Sequence, residues 1–427
     1  MLDIKLVREN PEIIRKDLQK RDRPDKLRDL EEISEIDKKW RESLSKVEEL
    51  KRERNIISKE INELKKAGKD ASEKLALVKD IPSKIKAYDD SVEDYKKRMN
   101  ELLRGMPNIL HESVPVGIDD TQNKVEKVFG KKPYFDFEPK SHVDIIESYG
   151  LVDLERAAKI SGARWYFLTG DLAMLDFAIQ KYAIDFMHKK GYTIIYPPLM
   201  MNRKSYEGVT DMKDFEDVIY KVEGEDLYMI ATSEHPLTAR FMDEVIEEKN
   251  LPMKFTGISP CFRKEAGAHG KDMKGIFRVH QFNKIEQVVL CKPEDSWSIH
   301  EELMNNAIEL FESLNIHFRI VNICTGDIGT VAAKKYDLEA WMPVQKAYRE
   351  MVSCSNCTEY QARRLNIKYN SGEGNKYIHT LNSTAIATSR AIVAIIENFQ
   401  DKEGNIHIPE VLWPYMNGVK VLSVKNI

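Results

Sequence analysis

Starting at Ile33, the chain carries a seam of Ile33, Ile36, Trp40, Ser43, Val47, Leu50, Arg54, Ile57, Ile61 and Leu64. Its steps alternate between three and four residues, the spacing that holds one stripe of a helix against a partner in a left-handed coiled coil. A second seam runs through Val78, Ile81, Ile85, Tyr88, Val92, Tyr95, Met99 and Leu102. Between the two, residues 65–70 read as a turn, with Gly68 as a helix C-cap signal. Two helices of similar length joined by so short a turn are predicted to fold back as an antiparallel hairpin. A helix over residues 30–65 would span roughly 50 Å, too long to pack along a core of this size, so the hairpin is expected to project as an arm. Pro82 interrupts the pattern: either the second helix kinks there, or its regular part begins near Ile81.

The composition of this stretch fits such an arm. Residues 1–105 hold two glycines, Gly68 and Gly105, while Lys, Arg, Asp and Glu fill 53 of the 105 positions. Over 51–86, eleven Lys or Arg face six Asp or Glu, an excess of five positive charges on the distal half. That excess suits either a solvated helical face or contacts to nucleic-acid phosphates, and the arm alone leaves both open. The whole chain carries a net charge of −4 with pI about 6.3, which excludes a uniformly basic nucleic-acid binder.

A break follows at Gly105-Met106-Pro107-Asn108, dividing the 427 residues into an N-terminal domain, 1–105, and a larger one, 106–427. At 42% hydrophobic and 32% charged the chain is too apolar for disorder and too polar for a membrane protein. No run reaches eighteen apolar residues, and residues 1–11 lack a signal-peptide core. Five scattered cysteines, an odd number, argue against a disulfide framework and predict a reducing, cytoplasmic setting. Beyond residue 105, strand-like stretches at 193–196, 226–230, 275–289 and 318–323 alternate with helical ones without a repeated strand–helix–strand period. The expected class is therefore α+β: a helical arm, then an antiparallel sheet flanked by helices.

The chemistry concentrates in two segments. Phe262-Arg263-Lys264-Glu265 precedes a Gly- and Lys-rich loop at 266–274 and then the stretch 275–286. If 278–286 is a strand, alternation puts Arg278, His280, Phe282, Lys284 and Glu286 on one face. Cations, an imidazole, a ring and a carboxylate make a poor core but a good floor for a nucleotide. Near the C-terminus, Asn382-Ser383-Thr384-Ala385-Ile386-Ala387-Thr388-Ser389-Arg390 leads into an apolar helix over 391–397. Its small residues would let the helix pack closely on a sheet while the Arg390 guanidinium projects outward.

These segments resemble the class II aminoacyl-tRNA synthetases: 261–286 is similar to motif 2, 382–397 to motif 3, and 178–198, with Gly191-Tyr192 and Pro197-Pro198, to motif 1. Within that class the resemblance is to the seryl-tRNA synthetases. It rests on Thr232-Ser233-Glu234, the run 280–286, Glu350-Met351-Val352-Ser353, the stretch 355–364, and the arm in the family's place. Ser233 stands where many members carry Ala, and Thr384 where others carry Ser.

The resemblance implies a serine–tRNA ligase that forms seryl-adenylate from L-serine and ATP, then charges tRNA(Ser), and tRNA(Sec) where that is present. Catalytic roles fall on Arg263, Glu286 and Arg390. ATP contacts are implied for Arg263, Lys264, Glu265, Arg278, Val279, Phe282, Glu350, Met351, Val352, Ser353 and Arg390, with Phe282 stacking on adenine. Serine contacts fall on Thr232, Ser233, Glu234, Arg263, Glu286, Asn382 and Thr384, and Mg²⁺ would be held by Glu350 and Ser353. His269 and His280 would be the nearby imidazoles. Cys354 and Cys357 form a lone Cys-x-x-Cys, so no structural zinc is expected. The arm would bind tRNA, motif 1 would build a homodimer, and no membrane is involved. Two alternatives carry different expectations. A ligase of the same core charging a carrier protein would have no use for a basic arm. An inactive paralogue would have no need to keep Arg263, Glu265, Phe282, Glu286, Glu350 and Arg390 together.

Overall fold

The computed structural model describes residues 1–265 and 274–423; His269 lies outside them. The chain forms two compact units, Met1–Ile109 and Leu110–Ile427.

In the first unit, α1 (Ile4–Glu9) and α2 (Pro11–Lys20) lead into α3 (Pro24–Lys66), a single helix of 43 residues, about 65 Å long. It ends in a Schellman motif, with the Gly68 N–H donating to Lys65 O (3.2 Å), the Lys69 N–H to Leu64 O (2.9 Å), and Gly68 at φ +67. A short helix not foreseen as separate, α4 (Ser72–Lys79), follows the turn, and α5 (Ile81–Arg104) returns. Pro82 falls in the first turn of α5, where its missing N–H has no intrahelical partner to lose. The helix starts at Ile81 and needs no kink. Ion pairs Arg98–Glu32 (2.8 Å) and Lys51–Asp89 (3.7 Å) fix α3 and α5 as antiparallel, since one number rises as the other falls. The predicted seam is buried in two clusters, one joining Ile33 and Ile36 to Met99 and Leu102, the other joining Ile57 and Ile61 to Ile81 and Ile85. The unit extends past residue 105 because Met106 is fully buried in the first cluster and the Arg21 guanidinium donates to Asn108 O at 2.8 Å.

The second unit is built on eight strands: β1 (Lys124–Phe129), β2 (Thr193–Ile195), β3 (Met253–Phe262), β4 (Gln281–Cys291), β5 (Phe318–Asn322), β6 (Lys334–Met342), β7 (Ala347–Asn356) and β8 (His379–Ala387). Their order in the sheet is β1-β5-β6-β7-β8-β4-β3-β2. Every neighbouring pair is antiparallel except β2 with β3. The helices that matter for the site are α6 (Gly170–Lys189), α7 (Glu234–Ala239), α8 (Ser296–Ser313), α9 (Tyr360–Leu365) and α10 (Thr388–Asn398).

Two expectations need correction. The strand expected from 275 begins only at Gln281; 275–280 bends, with Gly275 at φ +76, so Arg278 and His280 are not in the ladder. The strand expected at 226–230 reduces to Tyr228–Met229. Helix α10 is buried along its length, as its apolar sequence predicts, and Arg390 alone escapes full burial. Among the described residues, no helix is long and apolar enough to cross a membrane.

Candidate active site

The central strands β4, β8 and β7 carry side chains of one face into a cleft of about 420 Å³. Its lining includes Arg263 just beyond β3, Phe282, Lys284 and Glu286 on β4, Glu350, Met351 and Ser353 on β7, Asn382 and Thr384 on β8, and Arg390 at the start of α10. Thr232, just before α7, and Glu234, its first residue, also line the cleft. Alternation explains Phe282, Lys284 and Glu286, which are two residues apart on one strand. It does not explain Glu350 with Ser353, which are three apart.

Two β-bulges resolve this. In the β6/β7 ladder Leu338 pairs with Val352 and Glu339 with Glu350, leaving Met351 as the extra residue. In the β8/β4 ladder Thr384 pairs with Glu286 and Ile386 with Ile285, leaving Ala385 extra. Each extra residue resets the alternation, so Glu350 and Ser353, and likewise Thr384 and Ala387, reach the same side.

Backbone contacts set Arg263 in place. Its N–H donates to His280 O at 2.9 Å, and its Nε donates to Ala231 O at 3.2 Å. His280 is itself held by the Tyr220 hydroxyl (2.9 Å) and a stacked Trp165 (5.6 Å between centroids). The Arg263 guanidinium then lies 5.3 Å from the centre of the Phe282 ring, which places cation and aromatic surface side by side.

The floor of the cleft is a buried ionic chain. Lys284 Nζ lies 2.5 Å from Glu286 Oε2, with side chains 10% and 1% exposed, and also donates to Thr232 Oγ1 at 3.3 Å. Burial raises the Glu286 carboxyl above its usual range against the pull of Lys284 and Arg263. Burial, with Glu286 as a second charge, pushes the Glu234 carboxyl up to about 7. Gln361 on α9 donates to Glu234 Oε1 at 3.1 Å and to Val209 O at 2.9 Å, and accepts from the Thr380 hydroxyl at 2.6 Å. Gln361 therefore orients Glu234 without lining the cleft.

At the other end, Arg390 donates to Glu350 O (2.8 Å) and pairs with Glu350 Oε1 (3.2 Å). Burial alone would raise the Glu350 carboxyl, but Arg390, Lys335 and Arg263 together outweigh it and hold the group at about 2. Three cations thus converge on one carboxylate that opens onto the cleft.

Some expected residues stand elsewhere. Val279 and Val352 are buried in the main core. Ser233 lies behind the cleft, its Oγ without a hydrogen-bond partner and so close to Gly257 that a Cβ there would come within 2.4 Å. Lys264 is exposed, and Arg278 pairs with Glu265 at 3.6 Å; none of the three lines the cleft. Asn382 lines it but turns its amide toward Cys357 Sγ at 3.8 Å. Cys354 and Cys357 are both buried, with thiols pushed above their ordinary range by burial.

Lys284, Lys335, His235 and Gln361 are outside the expected ATP, serine and metal contacts. Lys284 was on the right face by alternation, and Gln361 was inside a quoted motif, so a signal existed for both. His235 lines the cleft as a neutral imidazole, held down to about 3 by burial and then by Arg263 and Lys284.

Comparison with known proteins agrees with this geometry. Residues 1–110 match the family described as the seryl-tRNA synthetase N-terminal domain, and 218–399 match the tRNA synthetase class II core domain (G, H, P, S and T). A serine–tRNA ligase of Methanocella arvoryzae is 56% identical over 425 residues, covering 99% of this chain and 100% of that protein. The crystal structure of seryl-tRNA synthetase from Pyrococcus horikoshii complexed with ATP superposes with a TM-score of 0.95 at 49% identity, covering 99% of each chain. The cytoplasmic serine–tRNA ligase of Naegleria fowleri in complex with AMP gives 0.92 at 39% identity, covering 100% of this chain and 99% of that one. Sequence, fold and cleft agree, and the chain belongs to the seryl-tRNA synthetase family of class II.

Proposed function

We propose that the cleft activates L-serine with ATP and passes the seryl group to tRNA(Ser), and to tRNA(Sec) where that is present. The observation that carries this reading is the convergence of Arg263, Phe282, Glu286, Glu350, Thr384 and Arg390 on one cleft. ATP and AMP in the Pyrococcus and Naegleria relatives support an adenine nucleotide as the ligand. In the first step the serine carboxylate attacks the α-phosphate and pyrophosphate leaves. In the second, a hydroxyl of the terminal ribose of tRNA attacks the seryl carbonyl and AMP leaves. Neither step needs a protein nucleophile, so the side chains act by position and charge. Arg263 bridges the carboxylate and the α-phosphate, Phe282 stacks on adenine, and Arg390 holds the distal phosphates. Glu234 takes the serine ammonium, and Glu286 with Thr384, opposite one another in the ladder, takes its hydroxyl.

Glu350 and Ser353 offer oxygen donors on one wall, and the described residues contain no cluster of three His, Cys, Asp or Glu that could hold a metal alone. That suits Mg²⁺, which keeps water and shares phosphate oxygens. When bound, the ion would neutralise phosphate charge between the two residues. On α6, Met174 and Phe177 are 39% and 65% exposed one turn apart, and Tyr196, just past the edge strand β2, is 68% exposed. This apolar edge supports a homodimer. Five free cysteines support a reducing cytoplasm.

The test is ATP–pyrophosphate exchange with each of the twenty amino acids, expected with serine alone. The arm is tested separately. Lys59, Lys65, Lys66 and Lys69 are exposed; changing all four to Gln should weaken tRNA binding and flatten its salt dependence by about one unit of slope per lost phosphate contact. An unchanged slope would remove the arm from tRNA recognition.

A further inference from the structure

Behind Ser353 stands a carboxylate to which neither the resemblance nor the proposed reaction gives work. Asp337 on β6 lies directly opposite Ser353 on β7, and Lys335, two residues earlier on the same face, lies opposite Ser355. Lys335, Ser353 and Ser355 all line the cleft. Asp337 is 5% exposed, and its Oδ2 lies 3.4 Å from Lys335 Nζ. Its Oδ1 is buried and has no hydrogen-bond partner. A buried carboxylate oxygen left unpaired costs stability, so a retained one points to a group that fills it.

The groups facing Asp337 narrow the occupant. Lys335 and Glu350 act on it electrostatically, and the hydroxyl of Ser353, its cross-strand neighbour, donates a hydrogen bond to its carboxylate. An acceptor oxygen beside a second carboxylate and a hydroxyl calls for a donor or a cation, not an anion. We propose that Asp337 is a positioning residue of the divalent-cation site at Glu350 and Ser353, with Oδ1 accepting from a water of the ion's hydration shell. The proposal rests on the reading of Glu350 and Ser353 as the cation's ligands. It also gives Lys335 a role: its ammonium keeps the two carboxylates compatible and is itself held toward the cleft by Asp337. A strongly hydrated ion such as Mg²⁺ is the class that uses outer carboxylates in this way.

The experiment measures Mn²⁺ binding by electron paramagnetic resonance, with the full chain saturated by a non-hydrolysable ATP analogue. Analogue binding in EDTA is measured alongside. Asp337→Asn is expected to weaken Mn²⁺ about tenfold or more, in the range seen for groups that orient metal ligands, with analogue binding in EDTA within twofold of wild type. Asp337→Glu keeps the charge and moves it by one methylene. It is expected to fold and to weaken Mn²⁺ less than Asn does, and it decides the question if the Asn variant does not fold. Mn²⁺ affinity within twofold of wild type in a folded Asn variant, or in the Glu variant where Asn fails to fold, overturns the proposal. So does an equal loss of analogue binding without metal, which marks a purely structural role. Glu350→Gln runs in parallel: if it leaves Mn²⁺ binding unchanged, the cation site itself is wrong and this proposal falls with it. If Glu350→Gln weakens Mn²⁺ and the Asp337 variants do not, only the proposal falls.

Discussion

Replacing Lys284 by Met should destabilise the core in a way that depends on pH. Lys284 and Glu286 lie 2.5 Å apart, 10% and 1% exposed, and Lys284 also donates to the Thr232 hydroxyl. Breaking a buried pair by removing one partner costs about 3–5 kcal/mol, because the remaining charge is buried without compensation. Here the remaining charge also faces Glu234, already pushed up to about 7 by burial and by Glu286 itself. In the variant the Glu286 carboxyl, raised by burial even with Lys284 present, would rise further. A carboxyl raised in the folded state binds more protons there than in the unfolded chain, so stability falls as pH rises from the unfolded value toward the folded one. The full loss of about 3–5 kcal/mol is expected at pH 8, and roughly 1 kcal/mol at pH 5, where the folded carboxyl can keep its proton. Adding Glu286→Gln removes the orphaned charge and should recover most of the loss at pH 8. The assay is urea unfolding of the single and double variants at both pH values. Equal losses at pH 5 and pH 8, or a double variant no better than the single one, would refute the reasoning.

Three further outcomes follow from the same cleft. Arg263→Ala should lower serine-dependent pyrophosphate exchange at least about 10²-fold, corresponding to about 3 kcal/mol of transition-state stabilisation; exchange within threefold of wild type in a folded variant sinks the assignment. Thr384→Ala should worsen the use of serine and narrow discrimination against alanine while leaving the Michaelis constant for ATP in place, and movement of the ATP constant alone would reassign Thr384. With Glu234 titrating at about 7, kcat/KM for serine should fall about tenfold per pH unit below that value, since the ammonium needs the ionised carboxylate. Glu234→Gln should flatten the profile, and a wild-type profile flat from pH 8 to 5.5 would refute the role.

Features written in local periodicity were legible in the sequence. The arm follows from steps of three and four, which depend on helix geometry alone, and the break at Gly68 follows from a residue that tolerates φ +67. Helix α10 was legible for a similar reason, an apolar run over 391–396 that follows Arg390 directly. The floor of the cleft was half legible. Alternation put Phe282, Lys284 and Glu286 on one face, but it could not say that Lys284 is buried or that Glu286 is its partner. Arg278 and His280 were misassigned because the bend at 275–280 is set by tertiary contacts: the His280 N–H donates to Arg164 O, and Gly275 packs where any Cβ would meet His142.

The bulges at Met351 and Ala385 mark where periodicity stops being informative. A regular strand with period two would send Glu350 and Ser353 to opposite faces, and only the resemblance joined them. Neither Met351 nor Ala385 is a glycine, a proline or any other residue that announces a bulge. Each bulge is a one-residue shift of register against a single neighbouring strand, between Leu338 and Glu339 in one ladder and between Thr384 and Ile386 in the other. Register between distant strands is decided by the packing of the whole sheet, with β6 and β7 joined by a hairpin and β8 and β4 brought together from far apart in the chain. The site therefore depends on two insertions that carry no chemistry of their own. One turns Glu350 to the side of Ser353, and the other brings Ala387, just before the helix that carries Arg390, to the side of Thr384, so that both ends open into the same cleft.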